Sequence, residues 1–296
     1  MKYYYPLKLK TNLNQITISD NVTIRKITNK ELERFFGMQN RKLNKQGHIV
    51  KTNSLKSGIF PYGDVMYHII SNLHSLFSSN YVLETLDNKK IPEYINLLVK
   101  LLFPGSSGIC VGFNDETPSI YFYQNPYWKS GQIANIKSVD IGVMTKQFEK
   151  LSEVENDKKM KLVFEYYLNA LSGEKIPDEI RFLNLMTILE ILYLEDGKQG
   201  ELSYRLALRI AKMFELQYSE NPSEIYNDFK NNTCGLYKIR SDIIHSGQSN
   251  YFSKNKAKLF NLIEYVRKSI LLYLDEKSLF SLDNLDNLVL NGEHKS

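Results

Sequence analysis

From about Thr145 to its end the chain reads as one amphipathic helical segment after another with no convincing strand, which restricts this half to a helical bundle of about five members. KMKLVFEYYLNAL is closed by the break SGEKIP. PDEIRFLNLMTILEILYLED then sets Phe182, Leu185, Met186, Leu189, Leu192 and Tyr193 on one stripe. ELSYRLALRIAKMF puts Leu202, Leu206, Ile210 and Met213 on one face and Arg205, Arg209 and Lys212 on the other. NPSEIYNDFKN is a short helix starting near Pro222, LYKIRSDIIHSG is another, and KAKLFNLIEYVRKSILLYLDE is a long final one. The end, SLDNLDNLVLNGEHKS, reads as a short docked segment with a frayed tail.

The first half has a different texture. QITIS and NVTIRKI alternate apolar and polar residues around Asp20 and Asn21, which predicts two short strands joined by a tight turn. TNKELERFFG opens with Thr28 and carries Glu31 three residues on, a capping-box pattern, and Gly37 closes it. Residues 38–62, rich in Lys, Asn, Gly and Ser, read as a loop, and DVMYHIISNLHSLF fits strand or helix equally. IPEYINLLVKLLF predicts a helix with Pro92 in its first turn, and after the PGSSG turn ICVGF and SIYFY predict two strands whose tyrosines line a core or a cleft. The expected fold class is thus an α+β N-terminal domain over 1–144, an all-α helical bundle over 145–280, and a C-terminal segment over 281–296.

A chain of 296 residues with 43% hydrophobic content can bury a real core. No window approaches eighteen uninterrupted apolar residues, and MKYYYPLKLK lacks the apolar core of a secretory signal, so the expectation is a cytoplasmic protein with no membrane partner. Cys110 and Cys234 match no metal spacing, and His48, His68, His74 and His294 form no helical ligand pair. No metal and no cofactor are expected. The net charge of +5 is unevenly spread: residues 1–159 hold 21 Lys+Arg against 14 Asp+Glu, whereas residues 160–296 hold 17 against 19. Most of the basic excess lies between Arg25 and Lys56, where nine basic residues face only Glu31 and Glu33. Such a run can attract a polyanion or be a solvated loop.

LYKIRSDIIHSG puts Arg240 and His245 five positions apart, a spacing that needs context to mean anything. Arg41 and His48 come close to it, yet they sit in a polar, glycine-bearing loop that cannot hold two side chains in fixed geometry. At Arg240, Leu236, Ile239, Ile243 and Ile244 supply a buried stripe and Gly247 a natural stop. His245 then falls in a last helical turn, where the helix dipole favours a cation. Five residues leave the two side chains about 140° apart around an ideal helix. A distorted terminal turn, or a second copy of the chain, is needed to bring both to one atom.

LYKIRSDIIHSG resembles the R-x4-H signature of HEPN domains, specifically the Apea-like branch, and ILEILYL followed by ELSYRLALRIAKMF resembles the two preceding helices of that branch in order and spacing. The resemblance spans roughly residues 160 to 276. It implies a HEPN-like bundle and a metal-independent endoribonuclease acting as a homodimer, with Arg240 and His245 of each copy catalytic. It also implies a role in toxin or antiviral systems, with an unnamed trigger or antitoxin and RNA as partner. The supporting positions are Ser241, a polar residue one turn before His245; Asp242, which can orient Arg240; Glu190, which matches an acidic position and can pair with a basic residue; and Tyr237, able to stack a base. Arg205, Arg209 and Lys238 are candidates to follow an RNA backbone. The alternative is a catalytically inactive HEPN-type bundle serving as an RNA-binding or dimerisation adaptor. A nucleotidyl transferase is disfavoured because GSSGICVGFND is followed by no paired aspartates for magnesium, and a P-loop is lacking.

Overall fold

The computed structural model describes residues 2–7, 9–28, 30–31, 42–43, 49–50, 81–86, 90–103, 109, 111–114, 120–122, 135–171, 176–194, 201–247 and 256–291. Its two compact units are Met1–Glu149 and Lys150–Ser296. The boundary falls a few residues later than the change of texture at Thr145, inside a helix that begins at Asp140.

Unit one is built on a six-stranded antiparallel sheet of order β2-β3-β6-β1-β7-β8. Its strands are β1 (Tyr3–Leu7), β2 (Gln15–Ser19), β3 (Val22–Lys26), β6 (Tyr81–Thr85), β7 (Val111–Asn114) and β8 (Ile120–Phe122). The pair β4 (Lys42–Leu43) and β5 (Ile49–Val50) forms a separate two-stranded ribbon inside the stretch read as loop. β2 and β3 alternate as expected, burying Ile16, Ile18, Val22 and Ile24. The central strands β1 and β6 carry no such signal. β6 buries Tyr81, Val82 and Leu83 in succession, as a strand covered on both faces does. β1 contains Pro6, which is tolerated because the β7 ladder engages only Tyr3 and Tyr4 and ends before it. The Thr28 capping box is present: the Thr28 amide donates to Glu31 Oε2 (2.9 Å) and the Glu31 amide to Thr28 Oγ1 (3.3 Å). Arg25, first of the basic run, is neutralised by Glu31 and Glu84, with Nη1 2.9 Å from Glu31 Oε2 and Nε 2.9 Å from Glu84 Oε2. Helix α1 (Lys90–Leu102) follows, with Pro92 buried in its first turn. DVMYHIISNLHSLF, Gly37, the PGSSG turn, Cys110 and the histidines at 48, 68, 74 and 294 lie outside the described residues.

Helix α2 (Asp140–Glu153) leads into unit two, whose described residues form helices and connecting turns with no strand. In order come α3 (Lys158–Leu171), α4 (Asp178–Tyr193), α5 (Leu202–Tyr218), α6 (Pro222–Lys230), α7 (Leu236–Ser246), α8 (Ala257–Asp275), a 3-10 turn (Lys277–Phe280) and α9 (Leu282–Asn291). This exceeds the bundle of five read from the sequence. α4 is the hub, packing against α3, α5, α7 and α8. All six residues of its stripe are buried, and Ile188 and Arg181 are buried as well, because a helix enclosed by four others has no single apolar face. The docked C-terminal segment is α9, which lies on α5 and buries Leu285 and Leu288. Two positions of the expected apolar stripes face solvent instead: Leu202 is 40% exposed at the start of α5 and Ile244 is 50% exposed near the end of α7.

Candidate functional site

The Arg240 to His245 stretch is α7, and its start is fixed by a close backbone approach. A Cβ on Gly235 would lie 2.6 Å from the carbonyl oxygens of both Phe229 and Asn231, so only glycine fits there. The Gly235 amide donates to the Asn231 carbonyl (2.8 Å), while Asn231 Oδ1 accepts from the amides of Thr233 (2.9 Å) and Cys234 (3.1 Å). This knot ties the end of α6 to the start of α7. Leu236, Ile239 and Ile243 then anchor α7 in the bundle. The helix is continuous to Ser246 and ends at Gly247 in the left-handed conformation (φ 74°), whose amide donates to Ile243 (2.9 Å). No distorted terminal turn brings Arg240 and His245 together within one chain.

Arg240 sits where α7 meets α4. Its Nε lies 2.8 Å from Glu190 Oε1 at ion-pair distance, and its Nη2 donates to Glu190 Oε2 at 3.0 Å, so the carboxylate faces the side-on edge of the guanidinium with one hydrogen bond. The guanidinium carbon is 5.4 Å from the Tyr237 ring centroid. Tyr237 lies three residues before Arg240 on the same helical face, so its ring supports the arginine. Burial pushes the Glu190 carboxyl above the ordinary carboxylate range, although the Arg240 charge and hydrogen bond act the other way. Burial likewise raises the Tyr237 hydroxyl.

His245 is exposed in the last turn, with the exposed Ile244 beside it. Ser241 is half-buried. The expectation that Asp242 orients Arg240 is corrected, because Asp242 pairs with Lys238 one turn earlier and Glu190 takes the arginine. Residues two apart point away from each other on a helix, whereas four apart they meet. The Lys238 charge is thereby balanced locally.

Arg209 also requires correction. It is 2% exposed, donating from Nη1 to the Tyr193 carbonyl and pairing with Asp286 of α9 at 2.5 Å. It ties three helices together and offers no outer face to a polyanion. Arg205 is half-buried on α5, and Lys212 pairs with Glu215 at 2.8 Å. The basic face read into α5 is therefore dispersed. A separate open cleft of about 600 Å³ lies between α6 and α8. Its floor is Asp228, whose oxygens accept from Lys258 (2.6 Å), Tyr265 (3.0 Å) and Asn261 (3.3 Å), and neither Arg240 nor His245 lines it.

The sequence reading missed Gly235 and Asn231, whose value lies in backbone contacts between consecutive helices. No family model, no curated protein and no solved structure matches this chain.

Proposed function

We propose that the chain is a metal-independent endoribonuclease of the HEPN type that works as a homodimer. The carrying observation is the split state of the motif: Arg240 is anchored by Glu190, while His245 stands exposed on a continuous helix, incomplete within one chain. RNA carries its own nucleophile. One imidazole removes the 2′-hydroxyl proton as that oxygen attacks phosphorus, and a second, protonated, gives its proton to the departing 5′-oxygen as the P–O5′ bond breaks. The products are a 2′,3′-cyclic phosphate and a 5′-hydroxyl. His245 is the only histidine among the described residues, and in this reading the two-fold partner supplies the second His245 for the second proton role, while Arg240 meets the charge on the phosphorane. Control of the nuclease by a trigger or an antitoxin, in a toxin or defence setting, belongs to the same reading.

The test is incubation of pure protein with end-labelled RNA in excess chelator. Cyclic-phosphate fragments from the wild type and none from His245→Ala support the reading. Cleavage that His245→Ala retains refutes it, and binding without cleavage favours an adaptor.

A further inference from the structure

A guanidinium offers its donors along two forked edges, one through Nε and one end-on through the two Nη atoms. Glu190 takes the Nε side, with contacts of 2.8 and 3.0 Å, and Tyr237 covers one face at 5.4 Å. Among the described residues no acceptor meets Nη1, and the Arg240 side chain remains 25% exposed. Glu190 is itself the only charged residue on α4 between Phe182 and Tyr193, a carboxylate carried by the hub helix of the bundle. A carboxylate in that setting is costly to bury unless it is paired, and this one turns both oxygens to a single arginine, Oε2 accepting a hydrogen bond and Oε1 at ion-pair distance with no hydrogen bond of its own. The guanidinium plane is thus fixed by two elements, α4 and α7, with the end-on edge left over.

We propose that Glu190 is a positioning residue that holds Arg240 side-on, so that its end-on edge takes two non-bridging oxygens of one RNA phosphodiester. The substrate class rests on the ribonuclease reading; the held edge rests on the contacts of Arg240. Glu190→Gln keeps the volume but removes the charge that holds the guanidinium and sets an N–H donor against either Nε or Nη2, so orientation is lost. The same change removes a negative charge beside the phosphate, so affinity does not fall.

The experiment measures binding of a 2′-O-methyl RNA oligonucleotide, which lacks the nucleophile, and turnover of the unmethylated RNA, by wild type, E190Q, E190A and R240A, each checked for cooperative melting. E190Q and E190A are expected to bind as tightly as wild type or tighter and to turn over about tenfold slower or more. R240A is expected to lose about tenfold in binding. Glutamate variants that lose binding in step with R240A, that keep full turnover, or that turn over faster overturn the positioning role. Should wild type leave unmethylated RNA whole, the ribonuclease reading alone falls and the binding series decides: weakening by R240A with retention by E190Q supports the held edge, and equal binding by all variants, or loss by E190Q, overturns it.

Discussion

Glu190 has a folded-state pKa raised above its ordinary value of 4.5. Its protonated form therefore contributes stability that is fully present below about 4.5 and is lost as pH rises through the raised folded value. E190Q lacks this titration. Urea midpoints followed from pH 4 to 7 should show the wild type losing ground to E190Q as pH rises, and a constant difference would contradict the assignment. Asp157 has the opposite sign. Burial raises its carboxyl, but Lys277 (2.8 Å), the Met160 amide (3.3 Å) and the Tyr273 hydroxyl (3.1 Å) together hold it below its ordinary value. Its contribution is present at neutral pH and fades as pH falls through the lowered value. Asp157→Asn should lower the urea midpoint at pH 7 and make the acid limb of the stability profile shallower, with stability curves from pH 2 to 7 as the check. At this scale the sequence made Arg240 and His245 legible, because glycine and the apolar stripe set them in a helix. It misdirected Asp242, because nearness in sequence is not nearness on a helix, and the true partner lies 50 residues upstream on α4.

Elements explain the larger misreading. Arg205, Arg209 and Lys212 share one side of α5, and nothing local reveals that α9, some seventy residues later, covers it. Arg209→Ala removes a buried tie between α4, α5 and α9, and is expected to cost about 1–3 kcal/mol, read as a lower urea midpoint with unchanged slope. RNA affinity should be unaffected in the folded fraction; a loss of affinity would return Arg209 to the binding face. Gly235→Ala forces the α6 to α7 knot open and is expected to destabilise by about 1–3 kcal/mol, checked by the same titration. Helices and strands were legible wherever one face is buried and the other wet, as in the edge strand β2, its neighbour β3 and α7. The strand β6 was not, since burial on both faces removes the alternation that marks a strand, and β1 was not, since YYYPL puts tyrosines at successive positions and carries a proline.

At the scale of the whole molecule, two units with different textures share one chain, and the basic excess belongs to the first. The change near Thr145 was legible because periodicity switches from two to 3.6 residues. Among the described residues His245 is the only histidine, and on the proposed reading the second imidazole comes from a second copy of the chain. That requirement is tested most directly by mixing wild type with inactive His245→Ala chains in equal amounts, allowing subunits to exchange, and measuring cleavage per wild-type chain. If each cleft needs His245 from both copies, activity per wild-type chain falls to about half, because only pairs of wild-type chains cut. Activity per wild-type chain that stays constant would contradict the shared cleft.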